Sequence, residues 1–183
     1  MVKLTLTSET YAPQKDAGGG RYYCRVLPQW NEDHTLVDVV EDIVDHKPTK
    51  ADREVIISKW IESRKKYKIE QILEYDSSDV VNGFLLNGSH AWLDKDTRVG
   101  LVNSTTIEKN SGMTTTTLWF ENHPYVVDVD KALNLLSWLE IYAKTCFNKT
   151  QEHIANVQAL TTEQEIEGYD YTAGYPDQLE FTI

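Results

Sequence analysis

A chain of 183 residues, 40% hydrophobic and 26% charged, has room for one domain, or for one domain and a smaller one, with an ordinary globular balance. Its net charge of −11 argues against nonspecific nucleic-acid binding, which needs a basic surface, and no stretch reaches the length of a membrane span. The two cysteines, Cys24 and Cys146, lie far apart, which fits a reducing compartment or a fold that needs no disulfide.

The opening residues MVKLTLTSETY alternate polar and apolar, so Val2 to Thr7 reads as a strand. They lack the apolar core of a secretion signal, and a soluble protein made in a cytoplasm is expected. Without such a signal, the Asn-x-Ser/Thr matches at Asn87, Asn103 and Asn148 read as accidental. Ser8 to Gly20 is polar and ends in Gly18-Gly19-Gly20. The spacing is wrong for a phosphate loop, and a flexible hairpin loop is expected. Arg21 to Leu27 reads as a second strand with Tyr22, Cys24 and Val26 on one face, broken by Pro28. Leu36, Val39, Val40, Ile43 and Val44 recur at helical spacing and predict a short helix, although their β-branched character leaves a strand open. Thr49 caps the next helix, whose apolar stripe is Ile56, Ile57, Trp60 and Ile61. Arg64, Lys65, Lys66 and Lys68 are placed near its C-terminal end, where the helix dipole favours cations, rather than in a phosphate-binding patch. Ile69, Ile72 and Leu73 continue an amphipathic segment to Tyr75-Asp76-Ser77-Ser78, where the domain junction is placed.

Beyond the junction one pattern is written twice. FLLNGSHAWLDKDTRVGLVNS, from Phe84, aligns without a gap on LWFENHPYVVDVDKALNLLSW, from Leu118. Each copy has an apolar run, a turn signal, a second apolar run, and Asp-x-Asp opening a helix. Asp94 falls on Asp128 and Asp96 on Asp130. Asn87-Gly88 supplies the turn of the first hairpin, and Glu121-Asn122-His123-Pro124 that of the second. A lone hairpin is marginal in water, so the two are expected to pair or pack together under their helices, with Trp92 and Trp119 in the core. The first helix spans Asp96 to Lys109, with Gly112 as its stop. The second, Asp130 to Ala159, would run roughly 45 Å. That exceeds the width of so small a domain, so it either breaks near Asn148-Lys149-Thr150 or packs on another chain. Thr161 to Gln164 starts a further short helix, and the tail YDYTAGYPDQLEFTI is aromatic and turn-rich. The fold class is therefore α+β. A strand–strand–helix–helix region over 1–74 precedes a duplicated hairpin–helix domain over 75–183, with its long C-terminal helix and aromatic tail.

No catalytic constellation stands out. Asp94 with Asp96, and Asp128 with Asp130, could serve a metal-dependent hydrolase, a reading that requires the carboxylates to converge. Capping of the two helices explains both pairs at once and is favoured. His34, His46, His90, His123 and His153 show no metal-ligand spacing. His90 and His123 lie near equivalent turns, so a joint site is conceivable, although exposed turn residues are the commoner case. No serine lies in a nucleophile elbow, neither cysteine has a local partner, and no cofactor motif occurs. The expectation is a protein that is not an enzyme and carries no metal. The best candidates for a partner surface are Tyr142, Phe147 and Ile154 on the long helix, and Tyr169, Tyr171 and Tyr175 in the tail, because interfaces favour tyrosine.

The segments YDSSDVVNGFLLNG, AWLDKDTRVGLVNS, TTLWF, LEIYAKTCFNKTQEHIANVQAL and YDYTAGYP resemble an uncharacterised domain family. It is the domain of unknown function numbered four-three-seven-six, found in phage and prophage proteins of Bacteroides-type gut bacteria and similar to domains that end some tail-fibre-assembly-like proteins. The resemblance covers roughly Glu74 to Ile183 and brings no catalytic residues. It implies a non-enzymatic structural or assembly protein that binds other virion proteins of the tail or fibre. Its setting would be the virion, or the host cytoplasm during assembly, with no nucleic-acid or membrane partner. A homo-oligomer also fits, since phage appendages are often symmetric. A different reading is a small acidic inhibitor of a host defence or nucleic-acid enzyme, which requires the negative charge to gather on one face.

Overall fold

The structure, a computed structural model, describes residues 1–120 and 122–183. It is an α+β protein of two units, one formed by Met1–Tyr67 with Leu160–Gly168, the other by Lys68–Ala159 with Tyr169–Ile183.

The first unit is built on a four-stranded antiparallel sheet. In chain order the strands are β1 (Val2–Thr7), β2 (Gln14–Gly18), β3 (Arg21–Trp30) and β4 (Leu36–Val44), and across the sheet they run β1-β4-β3-β2. Three sequence expectations change here. The segment Leu36–Val44 is a strand rather than a helix. Its β-branched residues lie between β1 and β3, and both neighbours supply ladder hydrogen bonds along most of its length, which an isolated periodicity argument cannot weigh. The polar stretch before the glycines contains β2, and the reversal is confined to Gly18, Gly19 and Gly20, all with positive φ. Pro28 does not end β3. The pairing with β4 slips between Val26 and Gln29, and Leu27 takes a φ of 52°, so the proline sits in a bulge where its missing N–H costs no ladder bond. The N-terminal region is thus four strands and a helix, not strand–strand–helix–helix.

Cys24, Val26 and Val40 pack against Ile56 on helix α1 (Lys50–Asp76), with Leu27, Val44, Ile57 and Trp60 around them. Thr49 caps α1 as expected. Its hydroxyl accepts from the Asp52 N–H at 3.2 Å, and the Asp52 carboxylate accepts from the Thr49 N–H at 2.7 Å. The helix then runs unbroken for 27 residues. Arg64, Lys65, Lys66 and Lys68 therefore lie mid-helix, where no terminal dipole reaches them. Arg64 instead pairs with Glu167 at 3.2 Å and lies over the rings of Trp60 and Tyr67, while Lys65 pairs with Glu62. The boundary between the units falls inside α1, at Tyr67 and Lys68 rather than at Tyr75. The first unit also takes in Leu160–Gly168, where the short helix α5 (Glu163–Glu167) carries a full capping box of Thr162 and Glu165.

The second unit holds the duplication. Helix α2 (Asp79–Asn82) leads into the hairpin β5 (Phe84–Leu86) and β6 (Ser89–Ala91), then α3 (Lys95–Asn110). The second copy is the hairpin β7 (Thr115–Phe120) and β8 (His123–Asp128), followed by α4 (Val129–Ala159). The hairpins of the two copies share much of their burial pattern, although Lys95 is exposed where Val129 is buried. Phe84 and Leu118 are buried, as are Leu86 and Phe120, Leu93 and Val127, and Thr105 and Leu139, while Trp92 and Val126 are both exposed. Asn87 and Gly88 turn the first hairpin with positive φ at both positions, and Asn122 has a φ of 67° in the second. Glu121 lies outside the described residues. The hairpins pack rather than pair. Phe84 meets Phe120 edge to face at 5.8 Å, and Leu135, Leu136 and Leu139 of α4 close the core over both. The tail adds a strand, β9 (Glu180–Phe181), parallel to β5. Helix α4 is continuous for 31 residues, without a break near Asn148. Among the described residues no helix is long and apolar enough to cross a membrane.

Candidate partner-binding surface

The first aspartate of each pair caps a helix start, and Asp96 and Asp130 lie in the first turns that follow. The Asp94 carboxylate accepts from the Thr97 N–H at 2.9 Å, and that of Asp128 from the Asp130 and Lys131 N–H groups at 2.9 and 3.2 Å. The Thr97 hydroxyl, donating at 2.5 Å, together with that amide, holds Asp94 below the usual carboxylate range. Asp130 pairs with Lys109 at 2.6 Å. Among the described residues no group of three or more histidines, cysteines or acids is placed to hold a metal ion. His90 and His123 both border one small cleft of about 230 Å³, with Leu86, Ser89, Ala91, Phe120 and Tyr125. Strand alternation sets their side chains differently. His123 pairs with the core-facing Phe120, whereas His90 pairs with Leu85 on the face opposite Phe84 and Ala91.

The tyrosines expected at a contact surface are largely used within the unit. Tyr142 is a core residue, 7% exposed, packed with Val81 and Cys146. Burial raises its phenol, and also the Cys146 thiol. Tyr175 donates to the Thr150 hydroxyl at 2.8 Å, which in turn donates to Asp76 at 2.6 Å, and its ring stacks on His153. The two His153 nitrogens are both engaged. Nε2 donates to the Ala173 carbonyl at 3.0 Å, so Nδ1 accepts from the Tyr169 hydroxyl at 2.8 Å. Tyr171 lies edge-on to Tyr75 and beneath Lys68. Tyr169, Tyr171, Tyr175 and Ile154 are half-buried. Of the six candidates Phe147 is the openly exposed one, at 57%.

The exposed apolar surface lies elsewhere. Alternation along β7 turns Leu118 and Phe120 inward and Trp119 outward, at 60% exposure. Trp92 is also exposed, so neither tryptophan is the core residue expected. Trp119 sits opposite Pro124, and the next outward pair is Thr117 with Val126, which is 74% exposed. No third strand joins β7 and β8 among the described residues. On α4, Trp138 and Ile141 are exposed at adjacent positions of one helix face. These residues were hidden in the sequence because an apolar residue carries no mark of which side of a strand it takes.

A cleft of about 440 Å³ lies between α3 and α4, lined by Asp76, Asn82, Lys95, Arg98, Glu140 and Lys144, with Ala143 and Phe147. Arg98 Nε donates to Glu140 at 2.7 Å and Nη1 to the Leu93 carbonyl at 2.6 Å. The chain was also compared with known proteins: no family model, no curated protein and no solved structure matches it.

Proposed function

We propose that the chain is a non-enzymatic protein-binding protein that builds, or helps to assemble, a bacteriophage tail or fibre. One observation carries the binding part: the second unit presents Trp119, Pro124 and Val126 on the outer face of a two-stranded hairpin, and Trp138 and Ile141 on α4, all open to solvent. Large apolar side chains grouped on an outward face mark interaction sites in folded proteins. The appendage setting is supported by the resemblance of the region from Glu74 onward to the phage domain family. The test is size-exclusion chromatography with light scattering, on the chain alone and co-expressed with the products of neighbouring phage genes. A symmetric oligomer, or a stable complex with a tail or fibre protein that Val126→Lys abolishes, supports the reading. A monomer that ignores every such neighbour overturns it in favour of the acidic host-directed inhibitor.

A further inference from the structure

We propose that the cleft between α3 and α4 binds a carboxylate-bearing peptide segment of the partner protein, an inference that rests on the protein-binding reading above. In a chain of net charge −11, this cleft gathers Lys95, Arg98 and Lys144. The Arg98 side chain is 13% exposed, and its guanidinium is held on two sides, by Glu140 and by the Leu93 carbonyl. Its third nitrogen, Nη2, has no partner among the described residues, nor do the ammonium groups of Lys95 and Lys144. The two carboxylates of the lining are already engaged: Glu140 takes Arg98, and Asp76 accepts the Thr150 hydroxyl at 2.6 Å. The unused capacity of the cleft is therefore cationic, and a fixed guanidinium with a free edge suits a carboxylate.

The same lining argues for a peptide over a polyphosphate. Asp76 and Glu140 would repel a multiply charged anion, while a single carboxylate is balanced by the excess of one cation in the lining. Phe147, 57% exposed, gives the residue next to that carboxylate an aromatic wall.

The experiment is an NMR titration of the full chain with three probes: the blocked tetrapeptide Leu-Glu-Phe-Ser, which carries one carboxylate, its counterpart with glutamine for glutamate, and inorganic phosphate. The acidic peptide is expected to shift the resonances of Lys95, Arg98, Lys144 and Phe147, with a dissociation constant on the order of 1 mM. Lys144→Glu and Lys95→Glu, at exposed positions without partners among the described residues, should keep a folded spectrum and weaken binding about tenfold or more, as loss of one close charge pair does. The proposal is overturned if those resonances stay still up to about ten times that concentration, if the glutamine peptide shifts them equally, or if phosphate shifts them more strongly than the peptide. Co-expression separates the two levels. A tail or fibre complex that survives both charge reversals overturns the cleft and leaves the protein-binding reading standing. Failure of the unaltered chain to form any complex removes the broader reading.

Discussion

At the scale of single residues, two neighbours on β7 make opposite predictions. Phe120 is buried against Phe84 and Tyr125, so Phe120→Ala should cost about 3–5 kcal/mol in urea unfolding. Trp119, one position away, faces solvent, and Trp119→Ala should leave stability within about 0.5 kcal/mol. The same urea experiment on Asp128→Ala should show a loss of about 1 kcal/mol, because two helix N–H groups lose their acceptor. An unchanged midpoint would remove the capping role and reopen Asp128 for chemistry. The charged cleft escaped the sequence because Lys95 and Arg98 belong to α3, whereas Lys144 and Phe147 lie on α4, and nothing local joins them. The tyrosines misled for a related reason. A tyrosine suits an interface and a half-buried tail equally well, and Tyr75, Thr150 and His153 supplied partners within the chain.

At the scale of elements, the hairpin–helix duplication was the most legible feature. Its markers are local: Asn-Gly for a turn, aspartate for an N-cap, and apolar alternation for a strand. The Leu36–Val44 strand was not legible, because the choice between helix and strand was made by the ladders to β1 and β3. Gly83 joins α2 to β5 with an ordinary φ of −78°, so backbone freedom does not explain the residue. A Cβ there would lie 2.5 Å from the Asp79 carbonyl oxygen, which already accepts the Gly83 N–H. Gly83→Ala should therefore destabilise the second unit by about 1–3 kcal/mol in thermal or urea unfolding, the usual cost of forcing extra bulk into a packed site.

For the whole molecule, stability should depend on pH through groups at chain turns and helix caps. Hydrogen bonds from the Thr49 side chain and backbone hold Asp52 down to about 2, and Asp94 and Glu165 are lowered by their own capping bonds. For these carboxylates the folded state binds fewer protons than the unfolded chain. Their contribution is present above the ordinary values, 3.8 for aspartate and 4.5 for glutamate, and is lost as the pH falls through the lowered ones, which for Asp52 lies at about 2. His46 has the opposite sign. Hydrogen bonds to Asp45 and Asp52 raise it above its ordinary 6.5, so its contribution is present below that value and is lost as the pH rises through the raised one. Urea midpoints measured from acid to mildly alkaline pH should fall at both ends, and His46→Gln should flatten the part of the decline nearest neutrality and reduce the acid limb only by the share His46 gives to Asp45 and Asp52, leaving the Thr49 contribution in place. A variant whose profile matches the unaltered chain near neutrality would show that His46 gains nothing on folding.

The sequence by itself determined the α+β class, the paired hairpin–helix units and the helix caps, because turn chemistry, capping and short-range periodicity are properties of adjacent residues. Tertiary structure alone decided the strand at Leu36–Val44, the bulge that carries Pro28, the parallel pairing of β9 with β5, and the placing of the unit boundary inside an unbroken helix. It also decided that Trp119 faces out while Tyr142 faces in, and that Lys95, Arg98 and Lys144 border one cleft. Each of these depends on partners distant in the chain, and burial, ladder pairing and charge proximity are set by what packs beside a residue rather than by what precedes it.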